Sequence, residues 1–274
     1  MHISVVIPTH NRSHTLPRAL DSVLNQTNPA DQVIVVDDGS SDATGELIDK
    51  YPDVEWLQQE NKGVSAARNR GIEAAEHDWI ALLDSDDEWL PGKLEMIRHN
   101  QSENPQYRLY HSDEIWIRRG VRVNPMKKHQ KRGGMIYQHC LPLCVISPSA
   151  VVLHKELLLE AKGFDESLPA CEDYDLWLRL CCKHPVYYID QPLIKKYGGH
   201  EDQLSARYWG MDRFRIRAMY RLFQRNVLNQ EQSRLTQAML LRKLDILLKG
   251  ANKHRNQALI DEFGPIKQEL QRRC

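Results

Sequence analysis

Carboxylates crowd the ends of two apolar runs in this chain. Trp79-Ile80-Ala81-Leu82-Leu83 ends in Asp84-Ser85-Asp86-Asp87, and Val33-Ile34-Val35-Val36 ends in Asp37-Asp38-Gly39-Ser40. Alternate residues leaving a strand end can turn two carboxylates toward one hard cation. Mg2+ or Mn2+ suits such a place, held by one or two carboxylates plus substrate phosphates. The tetrad can equally be an acidic turn capping a helix that starts near Pro91, since Asp is common in turns. Asp38 can accept the N3–H of uracil or a ribose hydroxyl, or serve an Asp-Gly-Ser turn and helix cap. Arg68 is a lone cation in the small-residue stretch Gly63–Asn69, able to pair with a phosphate or with Glu60 or Glu73.

The elements that must hold these residues alternate. Ile3–Pro8, Val33–Asp38, Val54–Gln58 and Trp79–Asp84 are short, β-rich and bounded, as strands are. Between the first two, Leu16, Ala19, Leu20, Val23 and Leu24 recur at helical spacing, with Ser13 or Thr15 as the cap. Ser41 is expected to cap a short helix ending near Lys50, and Val64–Ala75 reads as a helix broken only by Gly71. Strands alternating with helices imply a parallel sheet, whose ligand lies beyond the carboxyl ends of the strands. Thr9-His10-Asn11 and both acidic turns stand there. Further on, strands are expected at Tyr107–His111, Glu114–Ile117, Val145–Leu153 and Val186–Ile189, with a helix around Tyr174–Cys182. The sheet is therefore mixed. Beyond Ser205 the pattern is helical, with a last helix pair interrupted by Gly264-Pro265.

The 274 residues are 41% hydrophobic and 27% charged, which excludes a disordered chain. No apolar run approaches the ~20 residues of a membrane span, and MHISVVIPTHNR lacks a secretory layout. The six cysteines have no paired small-scaffold spacing and read as reduced thiols of a cytosolic protein. Charge sums to zero but is uneven: from Arg207 to Cys274 there are 15 basic and 6 acidic residues, over an acidic body. Average neutrality argues against nucleic-acid binding. The tail either meets an anionic surface, through Arg213, Arg215, Arg217, Arg221 and Arg225, or pairs with the acidic body, closing the domain or a homodimer. Arg118–Arg132 holds seven basic residues and no acid, and its Gly and Pro mark a mobile loop.

Neither G-x-G-x-x-G nor a P-loop occurs, which disfavours a dinucleotide enzyme or a P-loop NTPase. His139, Cys140, Cys144 and Cys171 lack the C-x-x-C anchor of a zinc site. Ser147 and Ser149 lack a nucleophile elbow.

Seven segments, taken in order, resemble the inverting family-2 glycosyltransferases of the GT-A fold. They are VVIPTHNR at 5–12, VIVVDDGSSD at 33–42, NKGVSAARNRGI at 61–72, WIALLDSDDEW at 79–89, GFDESL at 163–168, EDYDLWLRL at 172–180 and GGHEDQLS at 198–205. The resemblance implies an α/β fold with a mixed, mainly parallel sheet, a core over 1–205 and a basic helical extension over 206–274. It implies nucleotide-sugar contacts from Pro8, Thr9, Asn11, Asp38, Arg68, Asp84 and His200. Thr9 and Asp38 would read the base. Asp86, Asp84 and His200 would hold Mn2+ or Mg2+, with Asp87 the alternative ligand one register away. Asp173 matches the catalytic base. The implied activity is metal-dependent transfer of a sugar from a nucleoside diphosphate, UDP favoured, to a hydroxyl of a glycan or lipid-linked acceptor. The implied place is the cytoplasm, with peripheral contact at the inner face of a membrane. Two other readings are nucleotidyl transfer, which wants a phosphate loop that Pro8-Thr9-His10-Asn11-Arg12 does not supply, and a non-catalytic binding module.

Overall fold

The computed structural model describes residues 1–199 and 208–272. Among them the strands are β1 (Ile3–Thr9), β2 (Gln32–Asp37), β3 (Glu55–Gln58), β4 (Trp79–Leu82), β5 (Glu88–Trp89), β6 (Leu109–Arg118), β7 (Val121–Val123), β8 (Val151–His154) and β9 (Tyr187–Gly198). They form one sheet in the order β3-β2-β1-β4-β8-β6-β9-β5, with β7 paired to β6. β1 to β4 run parallel, β8 is antiparallel to β4 and β6, and β9 is parallel to β6. β1 is buried along its whole length, as expected where helices cover both faces of a parallel sheet.

The helices of the core are α1 (Leu16–Leu24), α2 (Val64–Ala74), α3 (Lys93–Glu103), α4 (Tyr137–Cys140), α5 (Lys155–Ala161) and α6 (Glu172–Cys181). α1 buries Leu16, Ala19, Leu20 and Val23, and each large aliphatic contributes about 1.5–3 kcal/mol. Gly71 does not break α2. It lets the helix lie close on the sheet, because a Cβ there would meet Val6 Cγ1 at 2.4 Å.

Several expected boundaries differ. Asp42, rather than Ser41, caps the 3-10 turn Ala43–Lys50 by accepting from the Thr44 amide. The segment 145–150 is not strand: Pro148 opens a 3-10 turn, and β8 begins at Val151. The two strands expected between 107 and 117 are one, β6, with its irregularity against β9 at Ser112–Glu114. The basic run beyond Arg118 is partly a hairpin, since Val121–Val123 pairs back on β6.

The last three helices, α7 (Asp212–Gln224), α8 (Gln230–Lys253) and α9 (Gln257–Arg272), are consecutive neighbours, and α7 packs on α6. Phe214, Met219, Leu222, Leu240, Leu244 and Phe263 join the same hydrophobic cluster as Trp177 and Leu178 of α6. α9 continues through Gly264-Pro265; burial of Leu259, Phe263 and Leu270 against its neighbours offsets the hydrogen bond that proline removes. The tail arginines are largely committed inside the molecule. Arg217 grips Glu262 at 2.6 and 2.8 Å, Arg215 pairs with Asp212 at 2.9 Å, and Arg221 reaches Asp165 of the body. Of these three, Arg221 pairs with the acidic body, as the second alternative has it, while Arg215 and Arg217 pair within the tail itself.

Candidate active site

The ends of β1 and β2 form the first wall. Pro8 and Thr9 close β1, paired with Val36 and Asp37. Asn11 has φ 52°, a left-handed conformation that Asn tolerates, and its Oδ1 accepts from the Ser41 amide at 2.8 Å. Asp38 is buried, and its carboxylate accepts from the Lys62 amide (2.8 Å), the Gly63 amide (2.7 Å) and Gln59 Nε2 (2.8 Å). It thus anchors the 59–63 loop, a duty its Asp-Asp-Gly-Ser setting did not reveal. Beside it, Thr9 Oγ1 is buried with no partner among the described residues.

The second wall is the turn after β4. The Asp84 amide donates to Ser149 Oγ at 3.1 Å, and Ser149 Oγ donates to Asp87 Oδ2 at 2.6 Å. Asp87 Oδ1 accepts from the Tyr197 amide at 2.9 Å. Asp87 is 1% exposed with both oxygens engaged, so it does not serve as the alternative metal ligand. Burial, with Asp86 and Asp84 nearby, pushes its carboxyl up to about 8 against the pull of Lys196. It locks the turn from behind. Ser149, weighed by sequence as a nucleophile, is the hub of that lock: its carbonyl also accepts from Trp89 Nε1 (2.9 Å) and Lys93 Nζ (3.0 Å).

Arg68 joins this wall to the third. It is 3% exposed and donates to Asp84 Oδ1 and Glu172 Oε1, each at 2.7 Å. Its partners are neither Glu60 nor Glu73. Burial would lower its pKa, but Asp84 and Glu172 outweigh burial and hold the guanidinium charged. Its role is a strut between the turn after β4 and the start of α6, whose Glu172 lies 104 residues beyond Arg68 in the chain.

Asp173 follows Glu172 in the first turn of α6. Its Oδ1 accepts from the Tyr174 amide at 2.6 Å and its Oδ2 from Cys144 Sγ at 3.3 Å. Burial and Asp173 push Glu172 up against the pull of Arg68. The helix enters through Cys171, whose φ of 62° is left-handed, an uncommon conformation for a residue with a Cβ. Sequence reasoning missed Glu172, Ser149, Lys196 and Cys144 as parts of the site. Glu172 carried a signal, a second acid beside Asp173; the others depend on contacts distant in sequence.

A cavity of about 260 Å3 opens beside Asp86, lined by Arg12, Arg18, Arg119 and Tyr197 among others. A larger one, about 690 Å3, lies along α5, α6 and α7 but includes none of Asp84, Asp86 or Asp173. Its buried Asp175 and Arg179 are spent on each other at 2.7 Å. No group of three metal-ligating side chains occurs among the described residues. His200 lies outside them. The donor set at the turn nevertheless fits a hard divalent ion completed by substrate phosphates. Asp84 and Asp86 are partly exposed carboxylates on a turn pinned by buried Asp87, and Asp84 uses only Oδ1 for Arg68.

Known proteins agree with this architecture. The family described as Glycosyl transferase family 2 matches residues 4–140. WfgD of Escherichia coli, named a UDP-Glc:alpha-D-GlcNAc-diphosphoundecaprenol beta-1,3-glucosyltransferase, is 34% identical over 208 residues, 74% of this chain and 79% of WfgD. The chain belongs to glycosyl transferase family 2. A Rickettsia typhi protein named an uncharacterized glycosyltransferase is 30% identical over 70% of this chain and 63% of its own length. The chain spans only about a third of other family relatives, 32% of those from Rickettsia felis and Rickettsia conorii. In three dimensions, S. aureus TarS, solved in complex with UDP-GlcNAc, superposes with TM-score 0.72 at 20% identity, covering 89% of this chain and 72% of that one. This likeness is one of fold. The matched segment ends at 140, so Glu172-Asp173 rests on the contacts above.

Proposed function

We propose that the protein transfers a sugar from a uridine diphosphate donor to a hydroxyl of a lipid-linked diphosphate acceptor, with inversion at the sugar carbon and a divalent metal at the turn after β4. The observation that carries this reading is the Arg68 strut, which joins Asp84 to Glu172 and so binds the donor-side turn to the helix bearing Asp173. WfgD, by its name, takes UDP-glucose and a diphosphoundecaprenol-linked acceptor, and TarS binds UDP-GlcNAc; both support the donor class, and WfgD the acceptor class.

Transfer leaves negative charge on the departing diphosphate and positive character on the sugar carbon. Asp84 and Asp86 would hold Mn2+ or Mg2+, and the ion would supply charge neutralisation for the leaving phosphates. Ser149 and Asp87 keep those carboxylates in place, so little reorganisation is needed as charge develops. Asp173 accepts the proton of the attacking hydroxyl, which requires that oxygen within about 2.6–3.2 Å of its own. The orphan Thr9 hydroxyl and the anchored 59–63 loop border the space for the nucleoside.

No helix among the described residues is long and apolar enough to cross a membrane. The exposed cations Arg242, Lys249 and Lys253 of α8 flank exposed Ile246 at helical spacing, a face suited to an anionic leaflet carrying the acceptor.

The test is incubation with a panel of nucleotide sugars and Mn2+, reading release of nucleoside diphosphate. Turnover of UDP-sugars, lost in Asp86→Ala without loss of fold, is expected. Faster turnover of guanosine diphosphate donors would contradict the uridine assignment.

A further inference from the structure

The cavity beside Asp86 lies between the start of α1, the turn from β6 to β7 and the end of β9. Arg12, Arg18 and Arg119 line it with His14, and Asp86 is the one acid among its described lining residues. Apart from Asp86 it includes none of Thr9, Asp38, Arg68 or Asp84, the residues on the donor side. We propose that this cavity is a subsite for the diphosphate of the acceptor, with Arg18 and Arg119 as its cations. The inference rests on reading the acceptor as a lipid-linked diphosphate.

Arg18 is held in place by the protein itself. Its guanidinium stacks on Tyr197, 3.7 Å from the ring centroid, and Nη2 donates to the Asp86 carbonyl. Tyr197 is fixed in turn: its amide donates to Asp87 Oδ1 at 2.9 Å and its hydroxyl to Glu88 Oε2 at 2.7 Å. Yet Arg18 Nε is buried with no partner among the described residues. So is Thr15 Oγ1, although Thr15 stands at the N-cap of α1. Buried donors left unpaired are costly, and two of them on residues lining one cavity point to a ligand that pairs with them. Phosphate oxygens accept from guanidinium and hydroxyl alike.

The opposite wall is a tight hairpin. Arg119 and Gly120 form its two-residue turn between the paired Arg118 and Val121. Their φ values are 50° and 77°, as a type I′ turn requires, and a residue with a Cβ is uncommon there. Arg119 is exposed, and its guanidinium has no hydrogen-bond or ion-pair partner among the described residues. Next to the turn Val121 is 64% exposed, with Arg118 and Arg122 exposed on either side. A diphosphate carried on a hydrocarbon chain meets cations in the cavity and an apolar side chain beside it. A nucleoside needs no such neighbour, and its own space is bordered by Thr9 and the 59–63 loop.

The test is calorimetry with a dialkyl diphosphate, a diester like the acceptor, titrated into protein already saturated with UDP and Mn2+. Wild type should bind it. Arg119→Gly suits a positive φ and removes the guanidinium; it should weaken that binding about tenfold with UDP affinity unchanged, and Arg119→Lys should recover part of it. Thr15→Val should weaken it about threefold without lowering the melting temperature, because the hydroxyl has no partner to lose. A probe that displaces UDP and does not add to the saturated complex assigns the cavity to the donor and overturns the subsite. No binding to wild type, or binding unmoved in both Arg119→Gly and Thr15→Val, overturns it while leaving the acceptor class in place. Sugar transfer to acceptors without a diphosphate, and none to lipid-linked diphosphates, overturns the acceptor class and the subsite together.

Discussion

The donor-side half, β1 to β4, and the half from β5 onward organise function differently. In the first, candidate residues emerge from the ends of adjacent parallel strands, and the backbone alone brings Thr9, Asp38 and Asp84 to one edge. In the second, Asp173 enters at a helix start and accepts from Cys144 of a distant loop, while Arg68 of α2 ties down the adjacent Glu172. A parallel sheet therefore places its strand-end residues through the backbone alone, whereas the carboxylate proposed as the base depends on long-range contacts. Those contacts are where the molecule is most open to damage.

The sharpest way to break this contrast is Arg68→Met. If Arg68 is a strut, its loss leaves buried Glu172 and half-buried Asp84 uncompensated, costing about 3–5 kcal/mol, and both donor binding and turnover should fall. If it only touched nucleotide, the melting temperature would stay and only donor affinity would drop. Next in size is Ser149→Ala, which removes the donor to Asp87 and the acceptor of the Asp84 amide. A loss of about 1–3 kcal/mol is expected, with weaker Mn2+ dependence of donor binding, read by calorimetry with UDP. Unchanged metal affinity would confine Ser149 to the core.

Lys93 gives an effect of opposite sign. It is fully buried, and burial with Lys131 nearby pushes its pKa down to about 7. The unfolded chain then holds this proton more tightly than the folded one, so the group's destabilisation is full below about pH 7 and fades as pH rises toward the unfolded value. Lys93→Met should therefore stabilise the fold, by about 1–3 kcal/mol near pH 6 and less at pH 9. Melting curves at the two pH values check this, and destabilisation at pH 6 would show that its bond to the Ser149 carbonyl outweighs the buried charge.

The same contrast explains what the sequence revealed. Strand runs such as Val33–Val36 are continuous and apolar because both faces are covered, so their positions and the acids after them were readable. The lock on Asp87 and the path of Arg68 were not, since they depend on partners 62 and 104 residues away. Pro148 disguised a 3-10 turn within an apolar stretch. In α9, burial of Phe263 and Leu270 overrode a Gly-Pro pair that reads locally as a break. The tail's basic surplus was readable, but composition does not tell a paired arginine such as Arg217 from exposed Arg242.

The most direct measurement is the turnover of Asp173→Asn with a UDP-sugar that the wild-type enzyme uses, together with UDP affinity and the anomeric configuration of the wild-type product by NMR. Asn is nearly isosteric and takes no proton, so kcat should fall by about 10²–10⁴ with UDP affinity and melting temperature unchanged, and the wild-type product should be inverted. A retained anomer, or an Asn variant that turns over at the wild-type rate, would contradict Asp173 as the base of a single displacement.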